Sequence, residues 1–382
     1  MVLFTVLSIV LNNYAYLKSY VNNNYSLYQK QKQNRDEINH IINDDSFYRM
    51  DKDYSIGRCD PLLYNYRGIT NYASSENVKT LSKVKQFGSR QAWMWSHYTS
   101  NMPYSSEKLL GLKYVITSNI NDKPYENIGE MDEGVVYKNS HALPVIFPVT
   151  SFDNNAYDEL NNFEYQNNMW KSLNNIDEDV FIQNAISFSS KGTIKNVNIS
   201  VLTSGSVYLY LPSYAISGIV NVTENKNITY NQYETVYYIG EYTQGDVISL
   251  EINTEDEMNQ NLIASYSEQK EVIEKNADLI NDQDIHIEEV SSSHLEIEYI
   301  GNAIKIATTI PYDEGWSIYD NGQKVEIQSN WDSFISFELG NQSNHKIKMV
   351  YYPKGLKTGI AISSLSLLIL AVYVVYDKKK RV

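Results

Sequence analysis

Hydrophobic and polar residues alternate with a period of two along most of the chain after Ile186. Alternation of this kind is typical of half-buried β-strands, and short turns rich in Gly, Asn and Ser separate the strands. One segment departs from this pattern. Between Met258 and Asp282 the apolar residues recur at helical spacing, and neither Gly nor Pro interrupts them. We therefore predict one long helix, over residues 258–281, between two sets of strands.

The region before these strands, residues 45–150, has a mixed pattern. The segment SSENVKTLSKVKQF, which begins at Ser74, predicts a helix that starts with serine caps. The segment SSEKLLGLKYVITS, which begins at Ser105, predicts a short capped helix, a break at Gly111 and a strand over Leu112–Thr117. GVVYKNSHALPVIFPV predicts two strands around a His-Ala-Leu-Pro turn.

Together these patterns predict an α+β fold. A polar stretch rich in Asn and Gln, residues 18–44, is interpreted as a helical or loose stalk ahead of the mixed α/β region. The strands over residues 151–356 predict antiparallel, jelly-roll-like β-sandwich units that accompany the long helix. The pattern leaves open whether these strands form one core or two. Transmembrane helices are expected to flank the whole.

The last apolar segment, Thr358–Tyr376, has 19 residues without a charge. A helix rises about 1.5 Å per residue, so this segment nearly spans a bilayer core, which needs roughly 20 residues. Four basic residues lie in the tail, residues 377–382, and favour a cytoplasmic location for it. The alternative is a buried core helix at the end of a soluble chain. The basic tail favours the membrane anchor.

The first apolar run, Met1–Leu11, is short for a membrane span. No Lys or Arg precedes Lys18, and no small-residue cleavage site follows, so the run does not match a cleaved signal peptide. We interpret residues 1–17 as the outer end of a transmembrane helix, with an uncleaved signal anchor as the alternative. With both ends in the membrane, residues 19–357 are expected to be extracytoplasmic.

The charge and the cysteine count exclude several classes of protein. The formal net charge is −14, and because the tail carries three net positive charges, the rest of the chain carries −17. Such an acidic body argues against a nucleic-acid partner. Cys59 is the one cysteine, so neither an internal disulfide nor a thiolate zinc site can form. No phosphate-binding, dinucleotide-binding or metal-binding motif is present, and we predict no cofactor and no metal.

The order of several short motifs resembles a known family. The motifs are YNYRGITNYASS at residues 64–75, KLLGLKYVIT at 108–117, ALPVIFPV at 142–149, NNFEYQNNMWKSL at 161–173, IPYDEGWSIYDNGQKVEI at 310–327, and the set Tyr352, Pro353, Gly355 and Gly359 before the last apolar segment. In this order they are similar to the C-terminal part of the bacterial YfhO-like membrane proteins. The similarity runs from about residue 40 to the end.

The resemblance implies a large polytopic protein of the GT-C glycosyltransferase type. Such enzymes take sugar from a lipid-linked donor and modify cell-wall polymers such as teichoic acids outside the membrane. Their catalytic carboxylates lie in the external loops of a multi-helix membrane half. The present sequence departs from the pattern because it has no such half, so no catalytic residue is carried over. We expect a fragment, the product of a split gene or a degenerate copy.

A carboxylate pair, Asp313 and Glu314, stands beside a Gly and a Trp. Glycoside hydrolysis needs two carboxyl groups that face one bond across a cleft, but neighbouring residues on a strand point to opposite faces. Polar residues before a Gly are typical of a bend. We therefore predict a bend here, with Trp316 as a core or rim residue and Asn321-Gly322 as a type I′ hairpin turn.

The segment SRQAWMWSHYTS, Ser89–Ser100, is the stronger candidate for a binding site. An arginine, two tryptophans and a histidine lie close together in it, namely Arg90, Trp93, Trp95 and His97. Arginine beside aromatic rings can hold a phosphate and contact a sugar face. The alternative is a loop that packs on its own domain or on a membrane half.

Arg67, in the YNYRG segment, is a second candidate of the same kind. Its alternative role is structural, with its guanidinium bonded to backbone carbonyls. The expected partners are the lipid bilayer, a lipid-linked sugar, a cell-wall polymer and a multi-helix membrane half. The other function considered is a membrane-anchored carbohydrate-binding or adhesion module without catalysis.

Overall fold

A computed structural model describes most of the chain. It covers residues 8, 10–18, 25–57, 59–72, 78–92, 95–118, 120, 123–150, 161–173, 176–191, 194–211, 218–223, 226–230, 233–253 and 263–380. Residues 10–18 are helical and exposed. The other helices are α1 Tyr25–Ile41, α2 Asp60–Tyr64, α3 Val78–Gln86, α4 Tyr104–Leu109, α5 Asn162–Ser172, α6 Lys270–Asn281 and α7 Leu356–Lys380.

Strands make up most of the remaining structure. They are β1 Arg49–Lys52, β2 Asn71–Tyr72, β3 Arg90–Ala92, β4 Trp95–His97, β5 Leu112–Thr117, β6 Glu126–Met131, β7 Gly134–Lys138, β8 Ile146–Val149, β9 Phe181–Gln183, β10 Ala185–Lys191, β11 Ile194–Ser200, β12 Gly205–Tyr210, β13 Gly218–Thr223, β14 Lys226–Tyr230, β15 Val236–Tyr242, β16 Val247–Asn253, β17 Ala264–Glu268, β18 Asp284–Ser291, β19 His294–Ile300, β20 Lys305–Pro311, β21 Trp316–Asp320, β22 Gln323–Val325, β23 Gln328–Asn330, β24 Phe334–Glu338 and β25 Asn344–Tyr351. The predicted α+β class is confirmed.

The contacts divide the chain into two compact units. Unit 1 comprises Met1–Val145 and Asp153–Asp282, and unit 2 comprises Ile146–Phe152 and Gln283–Val382. This division differs from the boundary expected at residue 150, because β8 pairs with β20 of the second unit. The two strands predicted in GVVYKNSHALPVIFPV are both present as β7 and β8, but they belong to different units.

Unit 1 begins with a four-stranded sheet in the order β1-β5-β7-β6, in which β1 and β5 are parallel. Ile38 of helix α1 and Ile42, directly after the helix, share a core with Met50, Ile116 and Val136 of this sheet. Part of the predicted stalk is therefore an amphipathic helix that contributes to the core. A three-stranded sheet, β2-β4-β3, follows.

The rest of unit 1 is a β-sandwich. One sheet has the order β10-β11-β16-β13-β14 and the other has the order β15-β12-β17-β9. Their inward residues form one core, with Val197 and Leu250 from the first sheet and Leu209 and Ile239 from the second. The alternating pattern of the sequence gives each strand one apolar face, and the two apolar faces pack against each other.

The long helix predicted over residues 258–281 is shorter in the structure. Helix α6 begins at Lys270, and residues 264–268 form strand β17, whereas residues 254–262 lie outside the described residues. Strand β17 is hydrogen-bonded to β12 on one side and to β9 on the other, and all its residues are buried. Because pairing on both edges satisfies its backbone, tertiary context overrides the helical spacing of the apolar residues.

Unit 2 contains two further sheets, in the orders β18-β19-β25-β21-β22 and β23-β24-β20-β8. The strands β19 and β25 alternate between buried and exposed residues, as the sequence pattern predicts. A two-residue turn joins β21 to β22, and its residues Asn321 and Gly322 have φ angles of 48° and 81°. Positive φ at both positions is the type I′ geometry, so the predicted hairpin is confirmed.

Helix α7 contains the predicted C-terminal apolar segment. The stretch Leu356–Asp377 is long and apolar enough to cross a membrane, and none of it is buried within the protein. A core helix would instead have an apolar face covered by other elements. The exposure of α7 on all sides therefore fits a helix in contact with lipid.

Candidate functional site

The three-stranded sheet β2-β4-β3 brings together most of the candidate residues. Strands β3 and β4 are antiparallel, and Arg90 lies directly opposite His97 in their register. Trp95 is on the same strand as His97, and their ring centroids lie 5.2 Å apart. The predicted grouping of Arg90, Trp95 and His97 therefore exists, whereas Trp93 lies outside the described residues.

Arg90 is held by a buried carboxylate. Its Nε donates a hydrogen bond to an oxygen of Glu234, and the amide of Asn101 lies 3.4 Å from the other oxygen of that carboxylate. The Arg90 side chain is 41% exposed, while that of Glu234 is 3% exposed. Since Nε makes this contact, the plane of the guanidinium is fixed while the side chain remains partly open to solvent.

His97 is buried, and both of its ring nitrogens have partners. Nδ1 faces the backbone oxygen of Tyr98, and Nε2 lies 2.6 Å from Oγ of Ser55. A carbonyl oxygen can only accept, so Nδ1 carries the hydrogen. In the neutral ring, Nε2 then accepts a hydrogen bond from the hydroxyl of Ser55. This is the arrangement of a base that faces an alcohol.

Several charged groups act on His97. Burial lowers the pKa of His97 below its usual range, and the carboxylate of Asp51 opposes this shift. Burial also raises the pKa of Asp51, although hydrogen bonds from Thr70 and Lys52 partly offset the rise. Burial raises the pKa of Asp53 too, and the charge of His97 partly opposes this rise. His97 is therefore neutral near pH 7, in a setting where nearby carboxylates would stabilise its charged form.

Asp51 connects this site to the loop before β2. Its carboxylate accepts hydrogen bonds from the backbone N–H groups of Ile69 and Thr70, at 2.8 and 2.7 Å, and from the hydroxyl of Thr70 at 2.9 Å. The same hydroxyl oxygen accepts a hydrogen bond from the N–H of Tyr98. These contacts fix the end of β4, and with it the position of the His97 ring.

Arg67 lies at the other end of that loop. Its guanidinium stacks 4.5 Å from the ring centroid of Phe47, and its backbone oxygen accepts a hydrogen bond from the N–H of Met50. Burial lowers the pKa of Arg67. These contacts anchor the loop to strand β1. A ligand-binding role for Arg67 stays a prediction.

Two members of the site were not predicted from the sequence. Ser55 is 42 residues from His97, and Glu234 is 144 residues from Arg90. Neither belongs to a motif, and neither differs in its local sequence from other serines and glutamates of the chain. Only the fold brings them to the candidate residues.

The carboxylates of the IPYDEGW segment have structural roles. Oδ1 of Asp313 accepts a 2.7 Å hydrogen bond from the N–H of Gly315, which closes a bend. Glu314 forms an ion pair with Lys354. Trp316 is half-buried beside Tyr351, with 5.2 Å between ring centroids. The two carboxylates thus do not face one site, and the predicted bend is confirmed.

A known protein family matches nearly the whole chain. The family model described as "Bacterial membrane protein YfhO" matches residues 1–363. The chain belongs to the YfhO family. It is therefore a membrane protein, and α7 is the helix among the described residues that is suited to crossing the bilayer.

One curated relative matches a short part of the chain. "Uncharacterized protein YfhO" of Bacillus subtilis (strain 168) is 39% identical over 74 residues, which are 19% of this chain and 8% of that protein. The chain thus matches only a small part of this relative.

Two solved structures show weak likeness to this YfhO-family chain. A glycoside hydrolase 29 family member from an unknown rumen bacterium has 9% identity and a TM-score of 0.16, and the match covers 44% of this chain and 37% of that one. The vicilin from hazelnut (Corylus avellana) has 7% identity and a TM-score of 0.11, with 45% and 85% covered. Similarity this low supports no argument about function.

Proposed function

We propose that this chain is the extracytoplasmic part of a cell-envelope glycosyltransferase of the GT-C type. The enzyme takes a sugar from a lipid-linked donor and transfers it to a cell-wall polymer such as teichoic acid. In this proposal residues 19–357 lie outside the membrane, and α7 anchors them with the basic tail on the cytoplasmic side. A multi-helix membrane half performs the transfer, while this part positions the donor or the acceptor.

The observation that carries the proposal is membership of the YfhO family over residues 1–363. The exposed, uncharged stretch of α7 supports it, because the polypeptide before this helix is then tethered at a membrane surface. An enzyme that joins a lipid-linked donor to a wall polymer needs its binding surface at that location.

Arg90 and Trp95 supply the contacts on this surface. A guanidinium forms short, charge-assisted hydrogen bonds to phosphate oxygens, which both a polyprenyl phosphate donor and a teichoic acid contain. The indole of Trp95 offers a flat apolar ring beside it. Glu234 holds the guanidinium in one orientation, so little side-chain freedom is lost when a phosphate binds.

A membrane-anchored carbohydrate-binding or adhesion module is the second candidate. It is favoured by the structural roles of the most conspicuous carboxylate pair of the sequence. Asp313 closes a bend and Glu314 pairs with Lys354, so the two do not face one substrate. Both candidates use the same surface. They differ in whether glycosylation of the wall polymer depends on the chain.

The test compares wall-polymer glycosylation in cells with and without the gene. Deletion is expected to abolish the sugar modification, and the wild-type gene is expected to restore it. Loss of a charged hydrogen bond costs about 1.5–3 kcal/mol, so Arg90→Ala is expected to lower the initial rate of glycosylation by about tenfold or more. Mass spectrometry of the extracted polymer measures the modification.

Arg35→Ala is the matched control, because the Arg35 side chain is also 41% exposed and also has an acidic partner, Asp36. The double variant Arg90→Gln/Glu234→Gln separates recognition from folding, since it leaves no buried carboxylate unpaired. Unchanged glycosylation in the deletion strain would exclude the transferase function. Equal glycosylation rates for the Arg90 and Arg35 variants would exclude a role for Arg90 but not the transferase function.

A further inference from the structure

Ser55 and His97 form a hydroxyl–imidazole pair that sugar transfer does not use. Oγ of Ser55 lies 2.6 Å from Nε2 of His97. Ser55 is exposed, whereas His97 is only 6% exposed. We propose that Ser55 is a nucleophile, activated by His97, that accepts acyl groups from carboxylic esters at this surface. This activity goes beyond the proposed glycosyl transfer and does not depend on it.

The tautomer of His97 suits this role. Because Nδ1 donates to the backbone oxygen of Tyr98, the lone pair of Nε2 points to the hydroxyl of Ser55. Nucleophile, base and a third group that orients the base are the three parts of a hydrolytic triad. Here a backbone carbonyl is the third group. The reacting alcohol is open to solvent while its base is sheltered, so a substrate can reach the nucleophile.

The loop that carries Ser55 is held on both sides. Before it, Nζ of Lys52 donates to the backbone oxygen of Tyr54 at 3.2 Å. After it, the N–H of Ile56 donates to Asp60 at 2.9 Å. Lys52 and Asp60 also form an ion pair, with side chains that are 0% and 2% exposed. A buried ion pair of this kind is weak evidence for stability, but it fixes the backbone that presents the serine.

The charges around His97 fit a proton transfer from Ser55. The carboxylates of Asp51 and Asp53 act on the ring and stabilise the imidazolium that forms when the ring takes the proton. Lys52 and Arg90 act on it with the opposite sign. Burial, together with Lys52 and Arg90, keeps the ring neutral at rest, while the carboxylates favour the charged ring that forms during the reaction.

We assign Arg90 to stabilise the carbonyl oxygen of the ester. The N–H groups of Ile56 and Gly57 both donate to Asp60, so the backbone after Ser55 is not directed at an incoming carbonyl. Arg90 lies opposite His97 across the strand pair, with a partly exposed guanidinium. A cation here stabilises the negative charge that develops on the carbonyl oxygen.

The reaction has two balanced steps. In the first, Oγ of Ser55 bonds to the ester carbon, its proton moves to Nε2 of His97, and the C–O bond to the alcohol breaks as the alcohol oxygen takes that proton. In the second step an alcohol or a water molecule gives a proton to Nε2 and attacks the acyl carbon. The bond from that carbon to Oγ of Ser55 then breaks, and Oγ takes the proton back from Nε2. The products are a new ester or a carboxylic acid.

The test uses the full-length protein in detergent and a fluorophosphonate probe. Attack by Oγ forms an O–P bond, fluoride leaves, and the proton goes to His97. Wild-type protein is expected to gain one phosphonyl group at Ser55, located by peptide mass spectrometry. Ser55→Ala is expected to show no labelling. His97→Gln is expected to react at least about 100-fold more slowly, since general-base catalysis contributes about 10²–10⁴-fold.

A pH profile of the wild-type protein keeps the test independent of whether His97→Gln folds. Because burial lowers the pKa of His97, the labelling rate is expected to rise with pH and to level off with a midpoint below 6.5. A serine that is not activated has no ionisation in this range. Absence of labelling at Ser55, equal labelling of Ser55→Ala, or a flat profile between pH 4 and pH 8, roughly the range in which histidines titrate, would each overturn the proposal.

Discussion

Glu268 and Ser105 join two distant parts of unit 1. A carboxylate oxygen of Glu268, at the end of β17, accepts a 2.8 Å hydrogen bond from the backbone N–H of Ser105 in the first turn of α4. The other oxygen accepts a hydrogen bond from the hydroxyl of Tyr208 at 3.0 Å. The carboxylate therefore satisfies donors of a helix and of a sheet that are far apart in the sequence.

Replacement of Glu268 by Ala should destabilise unit 1 by about 2–4 kcal/mol, because buried donors lose their acceptor. Glu268→Gln should cost less, since its amide oxygen still accepts one hydrogen bond. Chemical denaturation followed by tryptophan fluorescence measures both. Glu178→Ala, which removes an exposed partner of Lys275, is the control and should change stability by less than about 1 kcal/mol.

The same glutamate gives a pH dependence. Burial raises the pKa of Glu268 in the folded protein above its usual 4.5. The folded state therefore retains the proton at a higher pH than the unfolded chain does. Its contribution to stability is fully present below pH 4.5 and is lost as the pH rises through the folded value. Relative to Glu268→Gln, the wild type should thus gain stability on acidification. The prediction is contradicted if the difference in unfolding free energy between wild type and Glu268→Gln is the same at pH 4 and at pH 7, about the range in which a raised carboxyl pKa acts.

Lys108 is a buried ammonium group whose replacement should stabilise the protein. Its residue is 0% exposed, and its Nζ has no hydrogen-bond partner among the described residues. Nζ lies 4.7 Å from the ring centroid of Tyr104. Burial lowers the pKa of Lys108 to about 8. Lys108→Met keeps the length of the side chain without the charge, and should raise the unfolding free energy at pH 7 by about 1–3 kcal/mol.

The gain from Lys108→Met should depend on pH. The pKa of Lys108 is lower in the folded protein than in the unfolded chain. The contribution of Lys108 to stability is therefore fully present above the usual pKa of 10.5, and it is lost as the pH falls to about 8. The difference between variant and wild type should therefore shrink as the pH is raised from about 8. Thermal unfolding at several pH values measures it, and a constant difference would refute the assignment to Lys108.

A double-mutant cycle tests the ion pair of Lys52 and Asp60. Removal of one partner leaves a buried charge alone, so Lys52→Met should cost about 3–5 kcal/mol. The double variant Lys52→Met/Asp60→Asn should recover part of this loss. Lys346→Met, which removes the partner of Glu298 in an exposed pair, should have little effect. Additive losses in the cycle would show that the two side chains do not interact.

The orientation in the membrane is testable with cysteine labelling. Cys59 is the one native cysteine, so a Cys59→Ser protein provides a background without thiols. Ser292 is exposed in the turn between β18 and β19, and Val382 ends the basic tail. In intact cells a membrane-impermeant maleimide should label Ser292→Cys, whereas Val382→Cys should react only after permeabilisation. The reverse pattern would exclude an extracytoplasmic location of unit 2.

Features set by local rules were predictable from the sequence. Gly111 separates a helix from a strand with a φ of 73°, and an added Cβ would lie 3.0 Å from the backbone oxygen of Leu143. The Asn321-Gly322 turn and the apolar stretch of α7 likewise follow from backbone sterics and hydropathy. In each case a few adjacent residues determine the structure.

Features that depend on distant partners were not predictable. The segment 264–268 has a helical spacing of apolar residues, but pairing with β12 and β9 makes it a strand. Ser55 and Glu234 reach the candidate site through tertiary contacts, and nothing in their own segments marks them. The sequence alone therefore predicted Arg90, Trp95 and His97, and missed Glu234 and Ser55, the partners that two of them contact.

The position of β8 has a consequence for how the protein is made. Ile146–Val149 is synthesised long before Lys305–Pro311, its partner in the four-stranded sheet of unit 2. It is the last strand of that sheet, and Pro148 lacks one backbone donor, as suits an edge. Strand β8 therefore cannot pair with β20 until the chain has been synthesised at least through Pro311. Contacts over such distances form slowly. Closure of this edge of the unit 2 sheet is therefore a late event, whose timing is set by the synthesis of β20.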